Sequence, residues 1–351
     1  METSNKPLSA SRIKTLQTCS WQYWANYHLH LPNADNHGSL RGTICHNIFE
    51  LLGDPKHKKH YTKIVKDQSI KASPAIDRMV MSYAKKWKIS DFENLDLIDS
   101  MIVEGLNYDF FGEDIGKPTE AISEQDFDIS VDEDGKSYRI RGFIDKLFLF
   151  KRKKLAIIRD FKTSKAIFSG KEYEDNMQDL MYSLAVKTLY PEFLKRKVEF
   201  LFLKFDLNGE GCLKMEQLDS DELEGFEYFL TEIQQVINNF TEETAKSNFA
   251  LDKGFPKKED GFAGKIVCGF ANHAGQLKKD GTPMWYCPYK FKFDYFHLLD
   301  EDGELIKSSY TKEDLQIMLD NGKGHEIKKL KYGGCPSFPH LNRETNQHDL
   351  L

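Results

Sequence analysis

Long apolar runs are missing from this 351-residue chain. No stretch reaches the roughly 18 residues that a membrane-spanning helix needs. The opening METSNKPLSASR also lacks the apolar core of a signal peptide, so the expected location is the cytoplasm, or a host cytoplasm for a viral chain. No G-x-x-x-x-G-K-[ST] occurs, which excludes a P-loop ATPase within the chain. Internal repeats and low-complexity tracts are absent too. A surplus of positive charge is lacking: 49 Lys and Arg face 55 Asp and Glu, for a net charge of -6. Bulk charge therefore does not advertise a nucleic-acid binder, although a local basic surface depends on distribution as well as on the sum. The runs KHKKH at 56–60, KRKK at 151–154 and KKLK at 328–331 read first as solvated turns or helix faces. Cysteine is sparse at six residues, and in a reducing compartment these point to metal or core roles rather than disulfides.

What is present is core-forming material, with 40% hydrophobic and 13% aromatic residues. Up to about residue 110 the pattern is helical. Ser9 or Ser11 can cap one helix over RIKTLQTCSWQYWANYHL, and GTICHNIFELL carries Ile44, Ile48 and Leu51 in helical register. Two more helices are expected near 74–89 and 90–107. From about residue 120 the period becomes two. EAISEQDFDISV and KSYRIRGFIDKLFLF read as strands joined by the turn DEDG at 132–135, and KRKK turns the chain into LAIIRDF. A helix over YEDNMQDLMYSLAVKTLYP and a strand over 197–207 follow. Strand, helix, strand is a crossover unit, so the last strand should lie parallel in the same sheet. The expected fold is α/β: a mixed central sheet, built as a three-strand meander plus a parallel strand after a crossover helix, flanked by helices. A helical N-terminal part spans 1–115, the core 116–210, and a helical and irregular region 211–351. Within that last region an amphipathic helix over 219–240 and one hairpin over 291–310 are expected.

KLAIIRDFKTSK, residues 154–165, begins as a buried strand and ends in charge. Period two points Asp160 and Lys162 to one face. The preceding strand supplies Asp145 in RGFIDKL. Two carboxylates from adjacent strands with a lysine beside them make a hard-oxygen site suited to Mg²⁺ or Mn²⁺. Such an ion polarises a phosphoryl oxygen and lowers the pKa of a bound water, and phosphodiester hydrolysis uses both. Alone, D-x-K reads as a structural ion pair, and Asp145 as a turn or salt-bridge residue. Thr163 and Ser164 read as strand-end hydrogen bonders, with a phosphate contact as the alternative.

The ordered set carries more than its members. LSASRIKTLQTCSWQYW, GTICHNIFELL, GFIDK, RDFKTSK and QDLMY occur in that order over residues 7–190. This succession resembles the PD-(D/E)XK nuclease superfamily, in its RecB-type exonuclease branch. The resemblance implies that His46, Asp145, Asp160 and the backbone carbonyl of Phe161 hold the metal. It makes Lys162 the catalytic lysine. Gln178 and Tyr182, at i and i+4 on one helix, contact the DNA backbone or brace the site. Glu124, in ISEQDF, stands where related sequences often carry an acid, with no role assigned to it.

Some relatives of this branch, the AddB-type and CRISPR-adaptation nucleases, carry an iron–sulfur cluster held by one cysteine before the core and three after it. Cys19, Cys268, Cys287 and Cys335 match that count and order, but the last three are more widely spaced than the family pattern. Zinc, with His273 or His340 replacing a thiolate, is the alternative, and so are plain buried thiols. Cys45 and Cys212 read as core or surface residues. The expected activity is a metal-dependent deoxyribonuclease, foremost an exonuclease on single strands or DNA ends in recombination, repair or phage DNA processing. DNA is then the partner, and unwinding falls to a separate helicase or recombination protein. Trp21, Tyr23 and Trp24 are candidates for base stacking, or else packing residues. The alternatives are a structure- or site-specific endonuclease and a non-catalytic DNA-binding subunit with a nuclease fold.

Overall fold

The computed structural model describes residues 5–33, 36–249 and 287–337. The chain falls into two compact units, residues 1–10 with 35–238, and residues 11–34 with 239–351.

The first two helices are α1 (Ala10–Thr18) and α2 (Ser20–Tyr27). A single helix was expected here. Cys19 breaks it: its backbone is extended, and its Sγ accepts from Gln22 N at 3.4 Å as the N-cap of α2. A side-chain acceptor at this point satisfies one of the free N–H groups that a helix start leaves over.

In the larger unit α3 (His37–Gly53) is capped by Asn36, whose Oδ1 accepts from Ser39 N at 2.9 Å. It packs with α4 (Lys58–Asp67), α5 (Pro74–Lys86) and α6 (Phe92–Asn107) around Ile44, Ile48, Ile64, Val80, Ile98 and Ile102, all fully buried. The basic run at 56–60 leads into α4, which turns Ile64 inward and its lysines outward.

The sheet follows. Its strands are β1 (Glu120–Glu133), β2 (Lys136–Phe150), β3 (Leu155–Lys162), β4 (Lys195–Phe202) and β5 (Cys212–Lys214), in spatial order β1-β2-β3-β4-β5. Asp134 and Gly135 both take positive φ, which fits the tight turn of the β1–β2 hairpin. Only β3 and β4 are parallel, and the connection between them runs through α7 (Lys171–Glu174) and α8 (Met177–Leu189). The mixed sheet is the one expected; β5 is an addition, and β4 ends at Phe202 rather than continuing to 207. α9 (Ser220–Asn238) completes the unit and lies against β2.

Every residue of β3 up to Phe161 is buried, because helices cover both faces of the sheet. Phe161 joins the helical core with Phe49, at 4.2 Å between ring centroids. Asp160, one residue earlier, turns the other way, towards α8. Arg159 is 2% exposed and faces its parallel neighbour Glu199, with Nη2 to Oε2 at 3.0 Å.

In the smaller unit the chain continues through α10 (Glu242–Ala245), β6 (Phe293–Leu299), β7 (Leu305–Ser309), α11 (Lys312–Asp320) and β8 (Glu326–Tyr332). The strands form an antiparallel sheet in the order β7-β6-β8. Here the reading of KKLK as a solvated turn or helix face is corrected. The run lies in β8 and pairs with β6 at Lys328↔His297 and Lys329↔Phe296. The lysines hid the strand because β8 is an edge strand with an exposed face, where charge is tolerated. Trp21 and Tyr23 are packing residues: Trp21 is 5% exposed and donates to Tyr332 Oη at 2.7 Å, and Tyr23 is 1% exposed. Trp24 stacks on His28. Among the described residues, no helix is long and apolar enough to cross a membrane.

Candidate active site

The site forms where two strands part. The β2–β3 ladder runs from Phe150↔Leu155 to Lys146↔Arg159 and stops. Beyond it, Asp145 Oδ2 accepts from Phe161 N at 2.7 Å, so a side chain replaces the backbone partner. That substitution fixes Asp145 and opens a notch beside the end of β3.

Two groups of side chains line the notch. In the first, Asp145 Oδ1 lies 3.0 Å from His46 Nδ1, and Glu124 joins them with all three ligand atoms within 4.8 Å of one another. In the second, Asp160 Oδ1 accepts from Tyr182 Oη at 2.8 Å and from Gln178 Nε2 at 3.4 Å. Lys162 Nζ stands 2.5 Å from Asp160 Oδ2 and 2.7 Å from Gln178 Oε1. Asn176 caps α8 by accepting from Gln178 N and Asp179 N, which orients the helix turn that carries Gln178. All six side chains expected at the site are thus brought together. The Phe161 carbonyl remains an expectation for the metal; its N–H is committed to Asp145.

Glu124 is the residue whose role sequence reasoning left open. It stands opposite Asp145 on the neighbouring strand, flanked by the pairs Ser123↔Lys146 and Gln125↔Ile144. Its φ of 53° is the left-handed region, where a side-chain-bearing residue is strained. The signals available in advance were its place before the GFIDK strand, where related sequences often carry an acid, and its strand setting, and neither assigns a role.

The electrostatics show why this cluster is costly without a counter-ion. Burial lowers the pKa of His46, but the Asp145 carboxylate more than reverses this, and the imidazole is pushed up to about 9. Burial, then Asp145, raises Glu124 to about 7. Burial also raises Asp160 against the pull of Lys162. His46, Glu124 and Asp160 are thus all shifted towards their protonated forms. Asp160 Oδ2 is buried and makes no hydrogen bond of proper geometry despite its nearness to Lys162. An imidazole, three carboxylates and an oxygen with spare acceptor capacity fit a hard divalent cation.

Fold, notch and donor set define a metal-dependent nuclease core. The PD-(D/E)XK nuclease superfamily model matches residues 7–254, and the chain belongs to that superfamily. No curated protein matches. Among solved structures, the crystal structure of SSO0001 is 16% identical with a TM-score of 0.24, covering 63% of this chain and 85% of that one. The protein VC1899 from Vibrio cholerae is 13% identical with a TM-score of 0.23, covering 66% of this chain and 58% of that one. Neither likeness adds to the family assignment.

The expected cysteine set is divided. Cys19, Cys287 and Cys335 lie in the smaller unit, whereas Cys268, His273 and His340 lie outside the described residues. Cys45 is fully buried core, and Cys212 Sγ meets Tyr108 Oη at 3.1 Å.

Proposed function

We propose that the protein is a deoxyribonuclease that hydrolyses phosphodiester bonds with Mg²⁺ or Mn²⁺, acting as an exonuclease on single strands or DNA ends. The observation that carries this reading is the notch itself, where His46, Glu124 and Asp145 bring ligand atoms within 4.8 Å of one another near the Asp160–Lys162 pair. His46, Glu124, Asp145 and Asp160 are the residues that would hold the ion, together with the Phe161 carbonyl. When bound, the ion polarises the scissile phosphoryl oxygen and acidifies the attacking water. Lys162, held by Gln178 Oε1, is placed to orient that water and to offset charge on the phosphorane-like state. Tyr182 and Gln178 fix Asp160 through Oδ1, while Oδ2 faces Lys162 Nζ at 2.5 Å. Asp145, tied to Phe161 N, keeps the notch open.

The preference for ends follows the RecB-type pattern of the motifs. Linear and circular single strands of one sequence, incubated with Mn²⁺, test it. Degradation of the linear strand with the circle intact is the expected result. Cutting of the circle would replace the exonuclease with an endonuclease, and no cutting of either would remove the nuclease reading.

The same branch supports an iron–sulfur cluster on Cys19, Cys268, Cys287 and Cys335. The support is that Lys290 links two of them, its N–H donating to the Cys287 carbonyl at 3.3 Å and its carbonyl accepting from Cys335 N at 3.2 Å, while Cys19 stands two residues from Trp21, which lines one cavity with Cys335. Four thiolates from both ends of the chain would tie the smaller unit together. A visible absorption band with bound iron in anaerobically purified protein is expected. Its absence, with bound zinc, would assign the alternative.

A further inference from the structure

One residue of α3 is costly to bury and has no task in the notch. Arg41 is 8% exposed. Its Nη1 donates to Asn94 Oδ1, but its Nε is buried without a hydrogen-bond partner. A guanidinium N–H withdrawn from water and left unpaired costs free energy unless something absent here accepts from it.

The surroundings of Arg41 are basic. The next residue, Gly42, lies against Thr163: a Cβ there would meet Thr163 Oγ1 at 2.9 Å. Thr163 directly follows Lys162, and its carbonyl accepts from Lys204 Nζ at 2.7 Å. Lys204 follows the end of β4, and Lys165 lies two residues beyond Thr163. Burial, then the nearby charges of Arg41 and Lys165, lower the pKa of Lys204. The third neighbour, Cys45, stays neutral because burial pushes its thiol up to about 12. The nearby carboxylate of Asp91 is taken up by the Asn94 amide, at 2.6 Å. Lys204 thus holds Thr163, one residue from the lysine of the nuclease motif, with Arg41 one residue from the glycine that packs on Thr163, and Lys165 two residues beyond Thr163.

We propose that Arg41, Lys165 and Lys204 form a subsite for a phosphate of the bound strand next to the scissile one. A phosphate ester supplies the oxygens that a guanidinium and two ammonium groups recognise. Gly42 keeps the backbone of α3 close enough for Arg41 to share the subsite with the end of β3. The subsite rests on the nuclease reading for its substrate, but its binding can be measured without cleavage.

The test uses the full chain in EDTA, where no strand is cut, and a labelled single strand. In the Lys165→Gln/Lys204→Gln variant the dissociation constant rises about tenfold at about 0.1 M salt, and the log–log salt slope flattens by about 0.7 for one lost phosphate contact. The control Lys195→Gln, exposed at the far end of β4, changes neither. If a 5′-phosphate tightens binding in the wild type only, the subsite holds the terminal phosphate. An equal loss on hydroxyl-ended strands makes it an internal diester. A dissociation constant and slope unchanged from the wild type on both strands overturn the proposal. The two readings fail separately: binding lost in the variant while the wild type cuts nothing with Mn²⁺ removes the nuclease and keeps the subsite. Cutting by the wild type with variant binding unchanged removes the subsite alone.

Discussion

Replacing Asp160 by Asn separates a metal ligand from a structural ion pair by sign and size. Asp160 has a 4% exposed side chain, and its partner Lys162 is 18% exposed. If the pair existed for stability, removing one partner would leave a buried charge unpaired and cost about 3–5 kcal/mol. The surroundings indicate otherwise. Burial raises the pKa of Asp160, so its ionised form is held at a cost, and Asn removes that cost. Asn also retains an oxygen for Tyr182 Oη, and Lys162 retains Gln178 Oε1 at 2.7 Å. The metal-free variant should therefore unfold within about 1 kcal/mol of the wild type. At about 2–4 °C per kcal/mol for domains of 150–250 residues, this is a small shift in Tm. With Mn²⁺ at about 100 times its dissociation constant, the wild type should gain about 2.7 kcal/mol, and the Asp160→Asn variant should gain almost none. Differential scanning fluorimetry with Mn²⁺ and with EDTA reads both. Loss of 3 kcal/mol or more in EDTA, on the ion-pair scale of about 3–5 kcal/mol, would refute the reasoning. So would an undiminished gain with Mn²⁺.

In metal-free protein the stability contributed by His46 should fall as pH rises. His46 carries a folded pKa of about 9 against an ordinary 6.5, so its contribution is complete below 6.5 and disappears as pH passes through 9. With the ring 31% exposed, screening reduces this to about 1–2 kcal/mol, readable as a urea midpoint in EDTA. Glu124, raised from 4.5 to about 7, works in the same direction over that lower window. Mn²⁺ affinity should show the opposite trend and tighten over the same range, because the ion replaces both protons. Tyr182→Phe leaves Asp160 Oδ1 only the 3.4 Å contact from Gln178 and should lower the cleavage rate about 10–100-fold with an unchanged circular-dichroism spectrum. Lys146, buried beneath Phe110 and lowered from 10.5 to about 7, is protonated in the unfolded chain and largely neutral in the fold between those values. The Lys146 contribution should therefore rise with pH from about 7 towards 10.5, opposing that of His46 up to about 9, and Lys146→Met should gain on the order of 1–3 kcal/mol at pH 7 by urea titration.

Much of the fold was legible because its signals are local. Alternation identified β1 and β2, helical spacing identified α3 and α8, and the strand–helix–strand order required a parallel pair. Elements that depend on surroundings escaped. The break at Cys19 needed the thiol to cap α2, and β8 is a strand because β6 lies beside it, despite its lysines. Arg159 carried no signal in the sequence, and only the parallel register sets it opposite Glu199.

The site divides in the same way. The sequence by itself determined which side chains were available: period two placed Asp160 and Lys162 on one face, and helical spacing placed Gln178 and Tyr182 together. Tertiary structure decided what they face. It alone ends the β2–β3 ladder at Lys146↔Arg159, and so commits Asp145 to Phe161 N and His46. It alone brings Glu124, left without a role in the sequence, and Arg41, which drew no reading there, into the environments that set their chemistry. Side-chain types and their local periodicity are written along the chain, whereas desolvation and proximity arise only once distant segments have packed.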